Sequence, residues 1–408
     1  MLSILHIMLI FILITMIGYI LSMNKEYNLL NFKIKFTLGG ILLFLGKERT
    51  PAKEKPIGKE MHVLFIVVAF LGIALFYLFF LPIIINMVKS FIEFIYGYTS
   101  LPPQPTLIPI PFLLQYKELA VYLIIAIAIG VIVHELSHAI VALREGVKIR
   151  SWGIGMLFLF PIAFVELDEE QFTKAPPRSK INIATAGIFS NAVVSLTAFT
   201  LLLIISNILP SLGVISTAIV VNNVDCSICN TTLCPAQQIN ISNGDIIVAI
   251  DNLRIYTPND VEKILANKKI GDAVSLKICS NNECNEKSMV LNAINMKIYN
   301  EKGLEIPCLG ISMAQTMIFE KNGLFYRYPA IENLIMHLNF IFIVNFSLYV
   351  LNAIPFVISD GSIFIKALSE ILTPLKLISS KKILDLFNIT ILIIAIVISS
   401  YVFLRFTP

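Results

Sequence analysis

The chain has 408 residues, of which 57% are hydrophobic and only 14% charged, with a formal net charge of +4. Soluble proteins carry about a quarter charged residues, so this composition excludes a soluble globular fold and predicts a polytopic α-helical membrane protein. The net charge is small and by itself says nothing about nucleic acid; the expected surrounding is the lipid bilayer, with no nucleic-acid partner. A spanning helix needs about 20 apolar residues, and six runs qualify: 1–22, 62–88, 119–143, 181–209, 334–357 and 383–404. The first, MLSILHIMLIFILITMIGYILS, lacks a basic start and a small-residue cleavage site, so it reads as a retained helix and not a signal peptide. The run 36–46, FTLGGILLFLG, is too short to span and reads as interfacial or as an extension of the first helix. Segment 152–167 contains Gly153, Gly155 and Pro161 and is also too short; it reads as a re-entrant element, allowed at membrane depth where protein or water satisfies its amides.

Basic residues orient the runs. They cluster after the first run (Lys25, Lys33, Lys35, Lys47, Arg49, Lys53, Lys55 and Lys59), after the third (Arg144, Lys148, Arg150, Lys174, Arg178 and Lys180) and after the fifth (Lys366, Lys376, Lys381 and Lys382). These loops are expected in the cytoplasm. The proline-rich loop 89–118 and segment 210–333 are then expected outside, with Arg405 a mild exception. Four parts follow: N-terminal helices and basic linker at 1–118, a membrane core at 119–209, an inserted extracytoplasmic domain at 210–325, and a second core part at 326–408.

All six cysteines, Cys226, Cys229, Cys234, Cys279, Cys284 and Cys308, fall in the inserted domain. Outside the cytoplasm they can form up to three disulfides, in any of 15 connectivities; the rival is a zinc knot built on CSIC. Asn230 and Asn240 begin glycosylation triplets. A Gly-Asp turn precedes a strand at 246–250. PNDVEKILAN then reads as a helix capped at Asn259 or Asp260, and AVSLKIC as a strand. This order, after the Pro-Ala of PAQQINISNGD, resembles the second half of a PDZ domain, which implies an α+β module that takes a peptide strand at a sheet edge; a generic α+β domain is the alternative.

The third run carries His134, Glu135 and His138, an H-E-x-x-H pattern. Two histidines four residues apart share a helical face, where two imidazoles bind zinc and the glutamate acts as general base. Each ionisable group at a membrane helix centre costs about 2.5 kcal/mol or more, which argues against chance placement. Catalytic zinc needs a third protein ligand and an open position. Glu145, Glu166, Asp168, Glu169 and Glu170 follow the helix on its cytoplasmic side. Asp360, in LNAIPFVISDGSI, is the better candidate. The third and fifth runs both run inward, His134 lies roughly 22 Å deep at about 1.5 Å per residue, and Asp360 closes the fifth run, bent back by Pro355, with Gly361 permitting a tight turn.

HELSH together with N-x-x-P-x-x-x-x-D-G, here Asn352, Pro355, Asp360 and Gly361, resembles the site-2 protease family of intramembrane zinc metalloproteases. The family's A-G-P-x-x-N element appears as AGIFSN, with Ala186, Gly187 and Asn191 kept and Ile188 in place of proline. The cysteine-rich PDZ-like insert is most similar to that of eukaryotic and archaeal members. The resemblance implies that His134, His138 and Asp360 hold Zn2+, that Glu135 activates water, and that Asn191 and Asn352 contact substrate or the oxyanion. Segment 152–167, with Gly153 and Gly155, would clamp substrate as an added strand. It further implies single-span membrane proteins or membrane-anchored transcription regulators as substrates, regulated intramembrane proteolysis, and an upstream site-1-type protease. The alternatives are a membrane-anchored metalloprotease whose third ligand is a glutamate on the cytoplasmic side, and a non-enzymatic transporter or receptor with a peptide-binding outer domain. For Asn191, hydrogen bonding between helices is an equal reading. His337 begins a polar line with Asn345 and Asn352 and reads as a helix-packing residue.

Overall fold

The computed structural model describes the chain except residues 1–3, 23–25, 30–31, 47, 52–55, 100–102, 104–116, 158–159, 227–228, 230–233, 281–282, 294–306, 322–323, 328, 357–358, 373–376 and 407–408. Asn230, nearly all of the proline-rich stretch, and Lys25, Lys47, Lys53, Lys55 and Lys376 therefore lie outside the described residues. Five described helical stretches are long and apolar enough to cross a membrane: Lys59–Ile95, Leu119–Arg144, Pro177–Ser211, Ala330–Ala353 and Leu384–Val402. The described apolar part of the first helix, Ile10–Ser22, is shorter than a span. The chain forms two compact units, Met1–Phe199 with His337–Pro408, and Thr200–Met336.

The first unit contains α1 (Ile4–Ser22), then β1 (Glu26–Leu29), β2 (Phe32–Thr37) and β3 (Gly40–Gly46). With β4 (Ile149–Leu157) and β5 (Phe160–Leu167) they make an antiparallel sheet in the order β1-β2-β3-β4-β5. This corrects the reading of 36–46 as an extension of α1: the run lies in β2 and β3. Gly39, at φ +78°, makes the turn from β2 to β3, a conformation that glycine adopts without a Cβ penalty. Lys33 and Lys35 alternate with apolar residues at the period of a strand. Segment 152–167 lies almost wholly in the hairpin of β4 and β5, with Gly153 paired to Phe164 and Gly155 to Ile162.

The second apolar run extends at both ends beyond its expected limits. It is α2 (Lys59–Leu75), a π-helical turn at Phe76–Phe80, and α3 (Leu81–Ile95). Pro82 explains the wide turn: its ring clashes with the carbonyl four residues back, and a π turn relieves the clash. The Leu81 N–H duly reaches back five residues to the Phe76 carbonyl. The same pattern recurs at Ile204–Ile208, two residues before Pro210.

The catalytic helix of the sequence reading is α4 (Lys117–Arg144). After a short α5 (Glu169–Lys174) comes α6 (Pro177–Leu203). It runs unbroken through Ile188, which is fully buried, so the missing proline leaves the helix regular. α9 (Pro329–Ala353) stops before Pro355, a residue that disfavours helix at its predecessor. α10 (Asp360–Ile371) and α11 (Leu377–Phe406) complete the unit. Ala69, Phe76, Ile181, Ile188, Val350, Ile354 and Phe364 form one buried apolar cluster that packs α2, α6, α9 and α10 together.

The second unit is built on β6 (Ser216–Val224), β7 (Ile246–Ile250), β8 (Leu253–Arg254), β9 (Ala273–Ser280), β10 (Glu283–Val290), β13 (Ile311–Lys321) and β14 (Leu324–Arg327). Its main sheet has the order β10-β9-β7-β6-β13-β14, with β8 paired to β7. Two short strands, β11 (Asn292–Ala293) and β12 (Pro307–Cys308), pair separately. α7 (Pro235–Gln238) and α8 (Pro258–Leu265) are its helices. The cap of α8 is Thr257, not Asn259 or Asp260. Thr257 and Asp260 form a capping box, each side chain meeting the other's backbone N–H. The cysteines pair as Cys226–Cys234, Cys229–Cys308 and Cys279–Cys284. The bonds replace the zinc-knot alternative, since they consume every cysteine.

Candidate metal centre

On α4, His134 and His138 are one turn apart, as their spacing requires, with ring centroids 4.7 Å apart and nearly perpendicular. Both pack against α6. A Cβ at Gly187 would come within 2.5 Å of each imidazole, so only glycine lets the two helices approach this closely. One turn before it, the Ile183 carbonyl lies 2.7 Å from His138 Nδ1. A carbonyl only accepts, so His138 carries its proton on Nδ1 and turns the lone pair of Nε2 inward. One turn after it, the Asn191 amide lies 3.0 Å from His134 Nδ1. Residues 183, 187 and 191 thus form one face of α6 that orients both rings.

Asp360 comes from a distant part of the chain. It opens α10, whose cap Ser359 accepts the Ser362 N–H. Its Oδ2 lies 3.0 Å from His134 Nε2 and 3.2 Å from His138 Nε2. The two Nε2 atoms are 3.1 Å apart. Gly361 does not serve a tight turn as expected. It is helical, and a Cβ there would overlap the Ala353 carbonyl, so the close return of the chain onto α9 demands glycine. Three converging lone-pair atoms repel one another unless a cation lies among them, and Asp360 Oδ2 is buried without a hydrogen-bond donor. For tetrahedral zinc with bonds of about 2.0–2.2 Å, ligand atoms stand about 3.3–3.6 Å apart. The observed triangle is slightly tighter and fits a small divalent ion with a fourth position open.

The other carboxylates weighed as third ligands are engaged elsewhere. Glu145 accepts from Ile57 N, Ser179 Oγ and Asn182 Nδ2, and Asn182 in turn faces His62. Glu166 accepts from Ser151 Oγ, and Asp168 caps α5 and pairs with Arg150. Asp168 lies outside the spans; the Gln171 N–H, then Arg150, holds its carboxyl below the usual range. Glu169 and Glu170 lie in the first turn of α5. None joins the triad among the described residues.

Glu135 Oε2 accepts the Val165 N–H at 3.0 Å. Val165 is on β5, the edge strand of the sheet, which packs along α4. Glu135, Leu136, Trp152, Gly153 and Val165 line a largely apolar groove of about 280 Å³. Gly153 borders this groove and Gly155 does not. Both glycines let β3 come close: side chains there would strike the Leu43 and Ile41 carbonyls. Asn352 is half-buried near the end of α9, eight residues before Asp360. His337 meets Tyr122 edge-on at 4.5 Å, which is a helix-packing contact. Sequence reasoning missed His62 and the Ile183 carbonyl; the four-residue spacing of 183, 187 and 191 was the available signal for the latter.

Residues 122–398 match the model of Peptidase family M50. An uncharacterised protein of Methanocaldococcus jannaschii is 32% identical over 39% of this chain and 42% of its own length. A Clostridium perfringens protein provisionally named a zinc metalloprotease is 28% identical over 45% of this chain and 56% of its own. A membrane-bound transcription factor site-2 protease homolog of Arabidopsis thaliana is 29% identical over 34% of this chain and 26% of its own. The chain thus covers between about a quarter and somewhat over half of these relatives. Among solved structures, the PDZ domain of an SdrC-like protein from Listeria innocua matches 24% of this chain and 92% of its own at 27% identity and a TM-score of 0.19.

Proposed function

This chain belongs to peptidase family M50, and from that premise we propose that it is an intramembrane zinc endopeptidase that cleaves within the spans of membrane-anchored proteins. Its five described apolar helices and its family make it a multi-pass membrane protein. The reading rests above all on one observation: His134 Nε2, His138 Nε2 and Asp360 Oδ2 converge to within 3.0–3.2 Å, with the His138 proton held on the far nitrogen.

These three residues would hold the metal. When bound, zinc supplies a Lewis acid that polarises the scissile carbonyl and makes water nucleophilic near neutral pH. Glu135 is the general base. Val165 holds one carboxylate oxygen, which leaves the other to take a proton from the attacking water. The C–N bond then breaks, and Glu135 returns that proton to the leaving amine nitrogen. A helix hides its carbonyls in its own hydrogen bonds, so the substrate must unwind locally; the outer edge of β5, which pairs with no further strand among the described residues, offers the strand partner it then needs. Asn191 and Asn352 are further candidates for contacts to substrate, Asn191 with a second duty toward His134. Gly153 borders the groove that the strand would enter.

Three disulfides support placing the second unit on the extracytoplasmic side. There a PDZ-like module would screen substrates already trimmed by a site-1-type protease, single-span proteins and membrane-anchored transcription regulators among them.

The test is E135Q, assayed on a tagged single-span substrate beside metal analysis. The variant should lose cleavage by about a hundredfold or more and retain one zinc per chain. Cleavage that survives E135Q would overturn the assignment. A wild type that never cleaves would favour the transporter or receptor reading.

A further inference from the structure

The turn between α9 and α10 has to hold the Asp360 carboxylate against two imidazoles. Most of its hydrogen bonds bind it to itself. Ser359 Oγ lies 2.6 Å from the Ile354 carbonyl, accepts the Phe356 N–H at 3.1 Å, and accepts the Ser362 N–H at 3.2 Å. The Ser359 N–H donates to the Phe356 carbonyl at 2.8 Å. Among the described residues, one bond leaves the turn for another helix: Asn388 Nδ2 on α11 donates to the Pro355 carbonyl at 2.7 Å.

Asn388 is fully buried and uses both ends of its amide. Its Oδ1 accepts the Tyr77 hydroxyl at 2.8 Å. Tyr77 belongs to the π turn, and that span is itself held to α9, where the Tyr349 hydroxyl donates to the Val68 carbonyl at 2.9 Å. Gly72 lets α2 lie against Ala353, the last residue of α9. Two helices outside the metal triad, α2 with its π turn and α11, therefore meet at the carbonyl five residues before Asp360.

We propose that Asn388 is a positioning residue for the metal centre, with Tyr77 as its support: it tethers the Pro355 carbonyl and so fixes where the Asp360 carboxylate stands. The proposal rests on the zinc peptidase reading above. In apolar surroundings an unmet carbonyl has no water to turn to, so losing this donor forces the turn to move. The plainer reading of a buried asparagine is glue between helices. Glue would lower stability alone; a tether also lowers metal affinity.

The full chain, purified in detergent and loaded with Zn2+, should be titrated with a competing chelator and melted in parallel. Replacing the orienting partner of a metal ligand typically costs 10- to 100-fold in affinity. N388L acts one step further out, so about tenfold is expected. S399A is the control. Ser399 is a buried hydroxyl on the same helix, eleven residues beyond Asn388, and one of its contacts runs to Met87. It should lose stability with unchanged zinc affinity. Wild-type affinity in N388L with a lowered Tm overturns the proposal. Should N388L not assemble, Y77F decides. It leaves the Pro355 bond but frees the amide to rotate, and it should weaken zinc binding about two- to threefold; unchanged affinity there counts against the tether. A wild type that binds no zinc refutes the parent reading instead.

Discussion

At the scale of the residue, the centre depends on atoms behind the metal-facing ones. His138 needs no further help with its tautomer, because the Ile183 carbonyl fixes it. His134 relies on Asn191, whose Oδ1 has no partner among the described residues; a half-turn of the amide presents that oxygen to an Nδ1–H. N191D keeps an acceptor there and should keep the metal, whereas N191L should bind zinc at least about tenfold more weakly. Chelator competition separates this role from substrate contact, which would raise KM and leave metal affinity alone. Gly187 gives a sharper case. The methyl of G187A would press on both imidazoles at 2.5 Å, and α6 is too well packed to yield. The protein should insert in the membrane yet purify with little zinc; full occupancy would show that the helices can separate. D360A should likewise lose zinc while E166A keeps it, which discriminates against a glutamate as third ligand.

At the scale of the element, the capping box of α8 makes a prediction about acid. The backbone N–H groups of Tyr256 and Thr257 hold the Asp260 carboxyl below the usual carboxylate range. A folded pKa below the unfolded value of about 3.9 means that the cap's contribution is present above that pH and is lost as pH falls through the folded value. Hydrogen exchange across 246–280, corrected for intrinsic rates, should show α8 loosening only below about pH 4, and D260N should weaken the helix at neutral pH and blunt that dependence. T257A should cost about 1 kcal/mol. Helices and strands with a clean period were legible here: the strand at 246–250, the helix after it, and the histidine pair of α4. The sheet formed by β1 to β5 was not. Its strands come from two stretches over a hundred residues apart, and short apolar runs such as 36–46 do not announce their partners. The convergence of Asp360 with the histidines was legible because ionisable groups are rare in apolar runs and both runs point inward, which puts the two at similar depth. Of its supports, Gly187 stands in the sequence as a glycine whose contact is unstated there, and the Ile183 carbonyl leaves no mark in residue type.

At the scale of the molecule, the disulfides divide the labour in the second unit. Cys229–Cys308 closes a sequence separation of 79 residues and Cys279–Cys284 one of 5. By the chain-entropy relation the first restricts the unfolded chain by about 4–5 kcal/mol and the second by about 2 kcal/mol. Replacing the Cys229 and Cys308 pair with alanine should therefore expose this unit to limited proteolysis far more than replacing Cys279 and Cys284; equal sensitivity would contradict the estimate. If the unit screens substrates, deleting 211–320 should broaden the range of spans that are cut. The wide turn ahead of Pro82 carries a last consequence. It absorbs one surplus residue, so the inward side of the second span holds a fixed rotational phase on either side of the turn, with Phe76 buried and Leu78 and Phe79 facing out. Losing a single codon there would swing the preceding stretch by about 100° and carry Tyr77 away from α11. Hydrophobicity and length would be untouched, yet the span could not be swapped for a generic anchor.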